Sequence, residues 1–140
     1  MVSLGLTRKI KMEVNKKYRI ELKGELIGYT FLENADAPMG VVFGLIQFEK
    51  IASGYDLFLD FCLNNGVKIN ENDINYRFID TQTIPDLKVF SENGVEIQGI
   101  GTSITGIDSE GFEIHVLGIP YPFYEDEFPH HVKEYREMFK

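Results

Sequence analysis

From Lys17 to Lys23 the chain alternates, with Tyr18, Ile20 and Leu22 on one side and Lys17, Arg19, Glu21 and Lys23 on the other. A period of two marks a half-buried strand. Gly24-Glu25 reads as a short turn and Leu26–Leu32 as the hairpin partner. "ENADAPMG" follows as a loop, in which Asp36 closes a turn, Pro38 fixes φ and Gly40 permits a tight exit. Met39 is expected to tuck into the core. The Val-, Ile- and Phe-rich run Val41–Glu49 predicts a third strand with Gly44 at a bulge. Ser53 and Asp56 then form a capping-box pattern ahead of a helix. Tyr55, Leu57, Phe58, Phe61 and Cys62 give its apolar face, and Asn64-Asn65-Gly66 ends it.

Lys68–Asn75 is polar and Asn-rich and reads as a loop, with a strand over Ile74–Ile79. Two hairpins follow. Leu87–Phe90 and Val95–Gln98 flank "SENG"; Thr102–Ile107 and Phe112–Leu117 flank "DSEG", with Gly94 and Gly111 at the turn positions. A last helix starts at Pro129, with Phe128, Val132, Tyr135 and Phe139 along one stripe. This order predicts an α+β domain over residues 15–140: a mostly antiparallel sheet of about seven or eight strands with two helices packed on it.

A chain of 140 residues can bury a real core. Cys62 is the one cysteine, so no internal disulfide forms, which fits a reducing compartment. As part of a helix's apolar face it reads as a small core residue and not a nucleophile. No apolar run approaches the roughly 20 residues of a membrane span. "MVSLGLTRKIK" lacks the apolar stretch of a signal peptide. The expected location is the cytoplasm. Arg8-Lys9 fits a purine-rich ribosome-binding sequence two codons before Met12, so translation is expected to start at Met12, with residues 1–14 a disordered extension. Intact mass of the natively expressed protein tests this, and a mass that includes Met1 or Val2 refutes it.

Charge changes the picture. The net −8 divides into +5 over residues 1–20 and −13 over the rest. Asp86–Glu127 holds nine acids against Lys88 alone. Such a field repels nucleic acid and attracts basic partners. Within it, Glu96 opposes Val95 and Ile97 in one hairpin, and Glu113 and His115 oppose Phe112, Ile114 and Val116 in the next. Alternation alone makes each of them the polar back of a sheet. If the pleat faces agree, together they form an acidic recognition platform.

"GIPYPFYEDEFPHHVKEY", Gly118–Tyr135, gathers three of the five prolines with five aromatics, an acidic run and two adjacent histidines. Glu127, His130 and Glu134 would share one side of a helix, but their spacing matches neither H-E-x-x-H nor any other strong metal pattern. Adjacent histidines point about 100° apart. Neither a metal nor another cofactor is expected. No G-x-S-x-G, G-x-x-x-x-G-K or G-x-G-x-x-G occurs, "GIGTSITG" reads as strand, and no acid–base constellation stands out. The protein is therefore not expected to be an enzyme. The segment reads as a strap across the sheet. Tyr121, Phe123, Tyr124 and Phe128 supply its aromatics, and Glu125, Asp126 and Glu127 an acidic edge open to a partner.

Two stretches, "GELIGYTFLENADAPMGVVFG" (Gly24–Gly44) and "GIPYPFYEDEFPHH" (Gly118–His131), together resemble a group of small bacterial proteins. These carry an A-D-x-P-M-G loop after an N-terminal hairpin and a Pro-aromatic segment near the C-terminus, and are associated with immunity genes of polymorphic toxin systems, including contact-dependent growth inhibition. The resemblance covers about a third of the chain. It implies a cytoplasmic inhibitor that binds and blocks one cognate toxin domain, with a basic nuclease matching the acidic charge. On that reading the contact residues are Glu96, Glu113, His115, Tyr121, Phe123, Tyr124, Glu125, Asp126 and Glu127. Two other classes stay open. One is a small enzyme or metal-binding protein using His115, His130 or His131 with nearby carboxylates; the other is a self-associating structural domain.

Overall fold

The computed structural model describes residues 16–139. The expectations for residues 1–14 and for Met12 lie outside the described residues. Ten strands and three helices follow one another among them: β1 (Tyr18–Leu22), β2 (Glu25–Thr30), β3 (Asn34–Asp36), a 3-10 turn (Ala37–Met39), β4 (Val41–Leu45), β5 (Gln47–Phe48), α1 (Gly54–Asn65), β6 (Ile69–Asp73), β7 (Phe78–Thr81), β8 (Leu87–Phe90), β9 (Gly101–Ile107), β10 (Gly111–Leu117), α2 (Phe123–Glu127) and α3 (Pro129–Glu137). The fold is α+β. The strands form two antiparallel sheets, of order β5-β2-β1-β8 and β3-β4-β10-β9-β7-β6, instead of one sheet of seven or eight.

The inner faces of both sheets share one core. Tyr18, Ile20, Leu22, Leu87 and Val89 come from the small sheet, and Val42, Ile79, Ile104, Phe112, Ile114 and Val116 from the large one. Tyr55, Phe58 and Cys62 of α1 complete it, against β7 and β9. Each such side chain contributes roughly 1.5–3 kcal/mol when fully buried. Burial also pushes the Cys62 thiol up to about 11, so it stays protonated and inert.

The second sheet escaped the sequence pattern because the chain changes sheets within one apolar run. Val41–Glu49 reads as a single strand, but only Ile46 separates β4 from β5. Ile46 is buried and its N–H donates to Phe112 O at 2.8 Å, while Glu49 N–H donates to Ile27 O in the small sheet. Gly44 is not a bulge; its pairing with Ile114 is regular. A Cβ there would run into Thr30 Oγ1 and the Glu33 carboxylate.

Other expectations shift locally. β2 stops at Thr30, whose Oγ1 accepts from Leu32 N–H as Leu32 turns to φ 46. The "ENADAPMG" loop holds β3 and the 3-10 turn, and Met39 is 67% exposed, outside the core. Lys68–Asn75 contains β6, held by pairing with β7 instead of apolar alternation; inward-facing Asn72 accepts from Tyr55 Oη. The next strand starts at Phe78, four residues later than its pattern suggested. Val95–Gln98 is an arm joined to β8 by one bridge, Phe90 to Glu96. The Thr102–Leu117 hairpin and the Ser53 cap form as read: Ser53 Oγ accepts from Asp56 N–H at 3.0 Å. Along the C-terminal stripe, Phe128 and Val132 are buried but Phe139 is 72% exposed.

Candidate partner-binding face

The C-terminal strap is built into the fold. Ile119 N–H donates to Gly40 O, Tyr121 Oη to Ala37 O and Tyr124 Oη to Val41 O, the last two at 2.9 Å. Gly40 has φ 67, and a Cβ on it would strike Ile119 O, so this crossing requires glycine. His131 Nε2 meets Leu32 O at 2.8 Å, and Phe128 lies between Tyr18 and Tyr124. The two stretches that carry the family resemblance are therefore each other's packing partners. The strap's acids are largely engaged. Glu127 accepts from Tyr18 Oη at 2.8 Å and pairs with Lys16, and Glu125 pairs with Arg136 at 3.2 Å. Burial, and then Glu127, hold the Tyr18 phenol well above its usual range; burial does the same to Tyr124.

Tyr124 is completely buried and so is not a surface contact. Tyr121 is 47% exposed, Phe123 half-buried and Asp126 exposed. His130 packs tilted against His131 and edge-on to Phe128, and burial, helped by His131 and Lys16, pushes its pKa down to about 4. Among the described residues no three His, Cys, Asp or Glu side chains converge as a metal-binding group.

A different surface emerges on the large sheet. Its strand register sets side chains that share a pleat face into rows across the strands. One row runs Asn34, Phe43, His115, Ser103, and the next Leu45, Glu113, Thr105, Asp80, Glu71. A third holds Ile107, Phe78 and Asp73. These residues face away from the core, half-buried or exposed, and Leu45 is 52% exposed. With Asp36 opposite Val41, the face carries five carboxylates (Asp36, Glu71, Asp73, Asp80 and Glu113) and no Lys or Arg at any strand position. His115 stacks flat on Phe43, ring centroids 4.8 Å apart, with Nε2 3.5 Å from Glu113 Oε1. That nitrogen is shielded from solvent and makes no hydrogen bond.

The small sheet's outer face has the opposite character. Lys17, Arg19 and Lys88 stand there against Glu21, and Lys17 Nζ lies 4.2 Å over the Tyr29 ring. Glu96 bridges Phe90 and so belongs to this side. The pleat faces do not agree: Glu113 and His115 share one face, and Glu96 lies on the other sheet.

Sequence reasoning missed Glu71, Asp73 and Asp80 on the face, although their spacing of two was visible in part. It also missed the clamp beneath the hairpin end of the large sheet. Asp108 accepts from Ser53 Oγ at 2.7 Å, Tyr55 N–H at 3.0 Å and Arg77 Nε at 2.7 Å. Arg77 also reaches Asp56 at 2.8 Å. Partial burial works against the Asp108 charge, but these donors outweigh it and hold the carboxyl below its usual range. No signal in the sequence joins positions 53, 77 and 108.

No helix among the described residues is long and apolar enough to cross a membrane. No family model matches the chain, and no curated protein or solved structure matches it.

Proposed function

We propose that this is a non-catalytic, acidic binding protein that acts in the cytoplasm as an immunity protein, binding and neutralising a cognate toxin domain of basic charge, such as a nuclease. The observation that carries the reading is the outer face of the large sheet. Five carboxylates with no cation among them surround Phe43, Leu45, Phe78 and Ile107. Aromatic and aliphatic anchors ringed by charge are the composition of an interface. A single-sign field speeds encounter with a partner of opposite sign. The resemblance to immunity proteins supplies the kind of partner, and the strap supports the face from behind β3 and β4 instead of contacting the toxin through its acidic run.

The test is co-expression with the product of the neighbouring reading frame, followed by purification at low and moderate salt. A stoichiometric complex, with the neighbour toxic when expressed alone, is the expected result. No complex and no toxicity would overturn the proposal.

A further inference from the structure

We infer that the partner inserts an extended, basic segment into the groove between β3 and α3, where it adds to the free edge of β3 as one more strand. This deepens the binding reading above and rests on it. β3 ends the order β3-β4-β10-β9-β7-β6, so among the described residues its backbone is paired on one side only. Asn34, Ala35 and Asp36 are all exposed. An edge with unpaired N–H and C=O groups is a template for another chain unless something blocks it.

The other sheet edges are irregular, covered or shorter still. β6 carries a register shift between Ile69 and Glu71. β8 is covered by the arm that donates Ile97 N–H to Val89 O. β5 is two residues long. β3 has regular register and instead borders a groove of about 600 Å³.

The lining says what the groove would take. Glu33, Asp36 and Glu134 bring three carboxylates, and among the described residues neither Lys nor Arg lines it. Phe43, Tyr135 and Met138 bring apolar surface, with Met138 76% exposed. A strand points alternate side chains to opposite sides. A segment alternating basic and apolar residues would therefore offer one set of side chains to the groove's carboxylates and the other to its apolar surface, while backbone bonds to β3 supply register. The far wall is fixed, because buried His131 ties α3 to Leu32 O just before β3. Phe43 belongs to both the groove and the acidic face, so a segment in the groove continues directly onto that face.

The test uses a blocked peptide of alternating Lys and Val, and a control in which Pro replaces each Val, keeping the charge but removing strand pairing. Amide spectra of the full chain are recorded during titration. Expected are the largest shifts and slowed amide exchange at Asn34–Asp36, control binding at least about tenfold weaker, and a loss of about tenfold in the D36K/E134K variant. Both substituted residues are exposed, and unchanged amide signals elsewhere verify the fold. No binding, equal binding of the control, shifts centred on Glu113 and Asp80, an unaffected variant, or self-association through β3 would each overturn the inference. A co-purified complex that survives D36K/E134K sinks the groove and leaves partner binding standing. Absence of any complex with the unaltered chain sinks partner binding itself.

Discussion

The strap at Gly118–Glu137 and the outer face of the large sheet both combine carboxylates with aromatics, yet they use them in opposite ways. In the strap, Glu125 and Glu127 find Arg136, Lys16 and Tyr18 Oη within the molecule, and Tyr124 and Phe128 are completely buried. On the face, Glu71, Asp73, Asp80 and Glu113 share their strands with no cation, and Phe43 and Phe78 lie outside the core. A carboxylate that already has a cation contributes little to the field a partner meets. Composition alone marked the strap as the functional element. Within the fold, pairing engages Glu125 and Glu127 and burial takes Tyr124 and Phe128.

The largest expected effect comes from breaking the strap. Phe128→Ala removes a fully buried ring packed on Tyr18 and Tyr124, and should cost about 3–5 kcal/mol in denaturant unfolding. If stability barely moves, the strap is not structural and the contrast fails. Next is the face. D80K/E113K should slow association with the proposed basic partner by at least about tenfold at low salt, and less as salt rises, with unfolding within about 0.5 kcal/mol of the unaltered protein. Stopped-flow association against ionic strength reads both.

Acid should then separate the two regions. The His130 side chain of the strap is pushed down to about 4 by burial, whereas in the unfolded chain it binds its proton near 6.5. The unfolded state therefore takes up a proton that the folded state refuses, so stability present above pH 6.5 is lost as pH falls towards 4. Urea midpoints at pH 7 and pH 5 should show a smaller drop in His130→Gln than in the unaltered chain. Equal drops would place the acid sensitivity elsewhere. The smallest effect is expected of Asp126→Lys, at an exposed position with no cation partner among the described residues: association slowed about two- to threefold. A loss matching that of D80K/E113K would return the strap to the interface.

Much of the fold was legible where alternation is strict. The β9–β10 hairpin, β1 and the Ser53-capped helix α1 follow from periodicity and turn chemistry because each is a local solution. β6 was not legible: its inward Asn72 is satisfied by Tyr55, a partner many residues away, so nothing apolar marks the strand. The change of sheets at Ile46 was hidden for the same reason. Both halves of Val41–Glu49 are apolar, and a run of apolar residues does not say which layer each half joins. On the candidate site, Glu113 and His115 were found from one hairpin, but Asp80 and Glu71 join them only through the β9–β7–β6 pairing. Strand order, which alternation does not contain, assembles the face.

The interleaving of strands has a consequence for how the molecule comes into being. β1 and β2 leave the ribosome early, but their sheet waits for β8, and the larger sheet waits for β10. β1 then makes contacts more than a hundred residues further along the chain, when Tyr18 meets Glu127 and Phe128. The larger sheet cannot be finished on a nascent chain that stops short of Leu117, and the seam closes only after Phe128 emerges. Loop closure of this reach makes folding slow. Under the immunity role proposed above, protection would draw on molecules whose seam has already closed.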